Sequence, residues 1–143
     1  MPLPSSICTA RSAGILPACG LEGRAPTVVG IGREEYVLGL TGVDLLRRMT
    51  IDLMLEENGV GPVERGGALH RNPLLSPDQR RALEDLAPVA AAGGGIIAAN
   101  VALAKIFLPR ARRLAGRIGM VWPEAFEAAT RRHLRDRLGV SLD

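Results

Sequence analysis

An apolar stripe in the second half of this chain keeps its helical phase through a proline. Apolar residues recur at helical spacing on both sides of Pro109, at Ala104, Leu108, Ala111 and Ile118. A helix that started afresh after Pro109 would have no reason to preserve that phase. The pattern therefore predicts one long helix, kinked at the proline, where one internal hydrogen bond is lost.

Capping patterns mark the neighbouring helices. Ser76-Pro77-Asp78-Gln79 has the order of a capping box with proline at the first helical position. Asn58-Gly59 is typical of a helix C-terminus and should end the apolar segment that begins near Arg33. Gly39 and Gly42 mark a point where that segment could divide into two helices. These patterns indicate at least three helices before residue 120.

A last helix is expected to begin at Pro123 and to end at Gly139. Its apolar positions predict that Phe126 and Leu134 face the interior. The same periodicity places His133 inside as a packed core histidine. Glu127 and Arg131, four residues apart, are expected to pair on its outer face.

Composition agrees with a helical fold. Aromatic residues make up 3% of the chain, so the core must come from Leu, Ile, Val, Met and Ala, which suit helices better than sheets. We predict an all-α fold, a four- to five-helix bundle over residues 33–143. Residues 1–32 are expected to form an irregular arm, either disordered or the remnant of a longer segment. Within it, "PTVVGIG" is predicted as one short strand followed by a turn.

The location of the chain is predicted from what its first residues lack. Prolines and an arginine interrupt the start, so no signal peptide is expected, and Cys8 and Cys19 do not form a zinc pattern. A reducing cytoplasm is the expected compartment. Leu86 to Ala104 carries no charge, but its apolar content is largely Ala and Gly. It is therefore interpreted as a buried core helix, and no membrane is expected.

A strip of charged residues lies on the helix before Asn58. Its carboxylates are Asp44, Asp52 and Glu56, with Glu57 beside them at the helix end. Such a strip could hold a metal ion or supply a general base. It could equally be a solvated row of pairs in which Arg48 lies between Asp44 and Asp52.

Four further residues are candidates for binding an anion. His70 and Arg71 lie in a glycine-flanked loop where they could contact an anionic ligand, although His70 could simply hydrogen-bond the loop backbone. Arg110 and Arg113 lie after the proline, in a region that holds 9 basic and 4 acidic residues from Asn100 onward. Arginines on adjacent helices could form a phosphate-binding groove, or they could be solvated.

Three stretches resemble the helical C-terminal part of nucleotidyltransferase-like proteins, the superfamily that includes aminoglycoside nucleotidyltransferases. They are "GVDLLRRMTIDLMLEENGV", "RGGALHRNPLLSPDQRRALEDL" and "IAANVALAKIFLPRARRLAGRIGMVWPEAFEAATRRHLRDRLG". In that family a sheet domain carries a Gly-Ser turn and an Asp-x-Asp pair, which hold magnesium and a nucleotide triphosphate. Neither motif occurs in this chain, so the resemblance assigns it no catalytic or metal-binding residue.

The resemblance implies a non-catalytic helical domain that acts in substrate closure or in assembly with a catalytic partner domain. The catalytic half would be lost or encoded separately, and magnesium and nucleotide triphosphate would bind only through that partner. A homo-oligomer is the other expected assembly. The alternative function is a small basic helical regulator that binds nucleic acid, but no helix-turn-helix spacing supports it and nucleic acid is not expected as a partner. A small enzyme that uses the acidic strip is a third hypothesis, so the question of catalysis stays open.

Overall fold

The computed structural model describes residues 25–67 and 70–143. These residues form five α-helices and one 3-10 turn, at Asn72–Leu74. The helices are α1 (Ala25–Gly32), α2 (Tyr36–Glu57), α3 (Pro77–Glu84), α4 (Gly93–Arg117) and α5 (Glu124–Leu138). The described residues contain no strand, so the predicted all-α bundle is confirmed.

Helix α4 runs without a break through Pro109, as the phase of its apolar stripe predicts. It packs chiefly along α2, and its side chains enter two hydrophobic clusters. The larger cluster centres on Phe107, which is fully buried with Leu53 of α2. The second cluster joins Ile96 to the first half of α2. Because α4 supplies core residues along its whole length, it is the central helix of the fold.

Helix α4 also has a length and composition that would allow it to cross a membrane. Core helices pass the same test, and the residues of α4 from Ile96 to Ala115 include many that are buried in this bundle.

Helix α2 is continuous across Gly39 and Gly42, so the segment does not divide into two helices there. Gly39 lies against the side chain of Ile96, because a Cβ atom at residue 39 would stand only 2.6 Å from Ile96 Cδ1. At Gly42 a Cβ atom would meet nothing within 4 Å. Gly39 therefore allows α2 and α4 to approach closely, and it does not end a helix.

The predicted caps are present. Ser76 Oγ accepts a hydrogen bond from the Gln79 amide at 3.2 Å, and Gln79 Oε1 accepts one from the Ser76 amide at 2.8 Å. Gly59 and Gly139 adopt positive φ angles of 74° and 64° after α2 and α5. Gln79 is buried and also exchanges hydrogen bonds with Asn58, so the start of α3 is tied to the end of α2.

The predicted strand and turn in "PTVVGIG" are wrong, because Ala25–Gly32 is helical. The valines, isoleucine and glycines of this segment favour a strand and turn by intrinsic propensity. Packing decides otherwise: Ile31 joins Tyr36 and Leu40 against the second hydrophobic cluster. The predicted irregular arm is therefore helical at residues 25–32, and residues 1–24 lie outside the described part.

The predicted inner face of α5 is also wrong in part. Leu134 is buried as expected, but Phe126 is 45% exposed and His133 is exposed. Glu127, expected on the outer face, is buried. The predicted pairing of Glu127 with Arg131 does occur, at 2.8 Å, but it lies inside the bundle. Helix α5 is therefore turned about its axis relative to the predicted orientation. Glu127 can face inward because arginines compensate the charge of its buried carboxylate.

Candidate functional site

The carboxylates of Asp52, Glu56 and Glu57 lie together at the end of α2. Helical spacing and the Asn58-Gly59 terminus place them beside the loop that leads to α3. The side chains of Glu56 and Glu57 are nearly buried, at 10% and 11% exposure. A buried carboxylate needs a compensating partner.

Two arginines of the loop after α2 meet two of these carboxylates. Arg65 forms an ion pair with Glu56 and also donates to the backbone oxygen of Val60. Arg71 donates to Asp52 Oδ1 at 2.9 Å, and Arg65 lies 3.9 Å from the same oxygen. The long glycine-rich loop is thus held to α2 by charge pairs.

The third carboxylate is met from α4. Arg110 Nη1 donates to Glu57 Oε2 at 2.7 Å, and Arg113 Nη2 lies 4.0 Å from Glu57 Oε1. Arg117 also reaches the backbone oxygen of Glu57, at 3.4 Å. We call this set of residues the α2-end network. It consists of the carboxylates of Asp52, Glu56 and Glu57, the loop arginines Arg65 and Arg71, and the α4 arginines Arg110, Arg113 and Arg117.

Seven of the eight residues singled out from the sequence thus have a charged partner, and six of them meet in one place. Asp44 is the seventh: it lies apart, is mostly exposed and pairs only at long distance with Arg47 and Arg48, at 4.0 and 3.9 Å. His70 is exposed, and its amide donates to the Gly67 oxygen at 3.0 Å. The expected acidic strip and the expected anion-binding arginines are largely partners of one another.

This pairing decides what the α2-end network can do chemically. A cation at Glu56 or Glu57 would have to displace a guanidinium group that already donates to it, and an anion at Arg71 or Arg110 would have to displace a carboxylate. Within the described ranges, no group of three His, Cys, Asp or Glu side chains is placed to hold a metal ion. The contacts of the network join α2 to its loop and to α4.

A second charged cluster was not predicted from the sequence. Glu127 of α5, 2% exposed at its side chain, accepts hydrogen bonds from Arg112, Arg131 and Trp122. The Arg112 and Arg131 contacts measure 2.8 Å and the Trp122 Nε1 contact 2.6 Å. The Arg112 guanidinium also stacks over the Trp122 ring, 5.5 Å from its centroid. We call this set the Glu127 cluster, and it fastens α5 to α4.

The environment of Glu127 shifts its ionisation. Burial by itself raises the pKa of Glu127, but hydrogen bonds from Arg112, Trp122 and Arg131 outweigh it, so the pKa lies below its ordinary value. The hydrogen bond to Glu127 raises the pKa of Arg112. Near the chain's last described residues, the Ser141 hydroxyl lowers the pKa of Asp143, with help from the charge of Arg131. Glu127 is therefore ionised at neutral pH and serves as an acceptor.

A groove of about 970 Å³ lies beside α2. Residues between Val37 and Ile51 form one wall. The 3-10 turn, α3 and the segment up to Val89 form the other wall. Its floor is apolar and its rim carries arginines, so it suits a ligand or partner with an apolar face.

Comparison with known proteins finds no relationship: no family model matches the chain, and neither a curated protein nor a solved structure matches it. By its fold alone, the described part of the chain belongs to the class of small all-α helical bundles.

Proposed function

We propose that this chain is a non-catalytic helical domain of nucleotidyltransferase type, which acts in substrate closure or in assembly with a catalytic partner domain. The observation that carries the proposal is an apolar surface on α2 away from the core. Leu38 and Leu45 lie seven residues apart on one side of the helix and are 55% and 53% exposed. Large aliphatic side chains grouped on one helix face are typical of a contact with another protein.

The state of the carboxylates supports the non-catalytic part of the proposal. Glu56 and Glu57 each meet an arginine, and so does Asp52. A general base or metal ligand needs a lone pair that is available to substrate or metal. Under this proposal magnesium and nucleotide triphosphate bind to the partner domain, and this chain contributes helical surface.

The pairing also bears on the alternative of a nucleic-acid-binding regulator. That function would use Arg110 and Arg113 against phosphate, but both lie at Glu57. A phosphate at Arg110 would have to compete with the Glu57 carboxylate, to which Arg110 already donates at 2.7 Å. The contacts therefore favour assembly over nucleic-acid binding.

The test is association with a defined partner. The partner is the protein encoded next to this chain that carries a Gly-Ser turn and an Asp-x-Asp pair, co-expressed with the full chain. We expect the two to co-purify, and Leu38→Ser with Leu45→Ser to abolish the association. The matched control is Val63→Ser with Val121→Ser, which alters two more exposed aliphatic residues, at 95% and 90% exposure, on other parts of the surface.

Three results would overturn the proposal. The first is magnesium-dependent nucleotide transfer by the purified chain alone. The second is the absence of an adjacent protein with those motifs, or its failure to co-purify. The third is an association that the Leu38 and Leu45 changes weaken no more than the control changes do.

A further inference from the structure

The groove beside α2 is a separate surface from the Leu38 and Leu45 face, because neither residue lines it. Its α2 wall runs from Val37 to Ile51, which are separated by fourteen rises of about 1.5 Å, or roughly 21 Å. That length corresponds to about four turns of a second helix laid alongside α2.

The floor of the groove is apolar along this length. Leu40 and Val43 line it from α2, and Leu75, Leu83 and Leu86 line it from the opposite side. Leu83 and Leu86 are only half-buried, so the groove leaves aliphatic surface in contact with water. Covering that surface with the apolar stripe of another helix removes it from water.

The form of the occupant follows from the walls. A partner strand binds by adding to an open sheet edge, and the described residues contain no strand that could offer one. Most of the wall is helical, and helical backbone groups are already hydrogen-bonded within their own helices. A helix needs no backbone partner and presents apolar side chains at intervals of three and four residues, which suits this floor.

The rim of the groove selects the charge of the occupant. Arg47, Arg48, Arg71 and Arg80 line it, against the carboxylates of Asp44 and Glu84. The pairs that Arg47 and Arg48 make with Asp44 are long, at 4.0 and 3.9 Å.

Two of the rim arginines also have unused donors. Within the described ranges, the Nε atoms of Arg47 and Arg71 are buried and have no hydrogen-bond acceptor. A buried donor without an acceptor is unfavourable, and a carboxylate that drew the Arg47 guanidinium toward the groove would relieve it.

We propose that this groove receives one amphipathic helix of a protein partner, with aliphatic side chains on the floor and carboxylates against Arg47, Arg48 and Arg80 at the rim. The chemistry that recognises the partner is an acidic helix with apolar residues at positions i, i+3, i+4 and i+7. The contact differs from the one proposed for the catalytic domain, so either contact can exist without the other.

The test uses synthetic peptides and the full chain, followed by fluorescence anisotropy. The probe is a labelled peptide of about 14 residues with leucines at those positions and glutamates flanking them. A second peptide carries lysine in place of each glutamate, and a third carries two central prolines that prevent a helix. We expect the acidic peptide to bind at least about tenfold more tightly than either control, with an affinity that falls as salt is added.

Variants of the chain locate the binding. Arg48→Glu with Arg80→Glu should weaken binding of the acidic peptide roughly tenfold and improve binding of the lysine peptide. Val37→Ser, at an exposed end of the groove, should weaken both. The matched control is Arg132→Glu, an exposed arginine on α5 outside the groove, which should leave the affinity unchanged.

The inference is overturned if no peptide binds, or if the acidic and lysine peptides bind equally. Equal binding of the proline-containing peptide would show that the groove accepts irregular chains and would overturn the helical occupant. An equal loss from Arg132→Glu would show diffuse charge attraction and would overturn the assignment to the groove. These results do not depend on the proposed association with the catalytic domain, because the variants used here leave Leu38 and Leu45, which form that contact, unchanged.

Discussion

Replacement of Glu127 by glutamine tests how the buried charge fastens α5 to α4. The carboxylate accepts from Arg112, Arg131 and Trp122, with contacts of 2.6 to 2.8 Å. Removing one member of a buried ion pair costs about 3–5 kcal/mol. Here the penalty is smaller, because the side chains of Arg112 and Arg131 are 45% and 28% exposed and water can solvate them after the change. We expect a loss of about 2 kcal/mol in the free energy of unfolding.

The assay is urea unfolding followed by circular dichroism at pH 7. A loss of that size shifts the midpoint by about 1 M urea if the slope is near 2 kcal/mol per M. The matched control is Glu124→Gln, one turn earlier in the same helix, where the side chain is 67% exposed and pairs with Arg112 at 3.0 Å. The control should change stability by less than about 0.5 kcal/mol. Equal small effects for both variants would refute the reasoning.

Glu127→Gln should also change how the free energy of unfolding depends on pH. Because the pKa of Glu127 is lower in the folded chain than its ordinary value of 4.5, its charge stabilises the fold fully above that value. This contribution is lost as the pH falls from about 4.5 toward the lowered folded pKa. Wild type should therefore lose more stability than Glu127→Gln over that range. Parallel acid profiles for the two proteins would contradict the lowered pKa.

Two further predictions concern the contact of α2 with α4. Gly39→Ala should destabilise the fold by about 1–3 kcal/mol, since its Cβ would press on Ile96, whereas Gly42→Ala should stabilise it by about 0.5–1 kcal/mol. Thermal unfolding checks both, and equal gains would disprove the close approach. A double-mutant cycle with Glu57→Gln and Arg110→Gln should give a coupling energy of about 1 kcal/mol. A coupling below about 0.3 kcal/mol would show that the pair is not maintained in solution.

The helices that could be predicted from sequence are those with strong local patterns. The capping box at Ser76 and Gln79 depends on residues three apart, and the phase across Pro109 depends on residues within a few turns. Such patterns are physically local, so reading them requires no knowledge of the partners of a helix. The error at Ala25–Gly32 has the opposite cause, because its conformation is decided by packing against Tyr36 and Leu40.

The charge networks could be predicted only in part. The four-residue spacing of Asp52 and Glu56 can be recognised in the sequence. Arg110, in contrast, lies 53 residues from Glu57, and no local sequence pattern reveals a pair that far apart. Arg65 is hard to recognise from the sequence because it is a single arginine in a glycine-rich loop. The clue in the sequence is its position: Arg65 lies in the loop that follows Glu56 and Glu57 at the end of α2 and precedes α3.

The inner face of α5 was misjudged because apolar periodicity assumes that charged residues face solvent. Glu127 breaks that assumption, since two guanidinium groups and an indole N–H satisfy its carboxylate. The tryptophan five residues earlier was a usable clue, because a buried indole nitrogen needs an acceptor. Phe126 and His133 were displaced outward as a consequence.

The carboxylates at the end of α2 are engaged with arginines, so a metal ion would have to displace a guanidinium group to bind them. Titration of the isotopically labelled chain with Mn²⁺, followed by line broadening of backbone amides, tests it most directly, since Mn²⁺ binds carboxylate oxygens and broadens nearby resonances. We expect weak broadening that is spread over exposed acidic residues and does not saturate. Saturable broadening centred on residues 52–57 would contradict the claim.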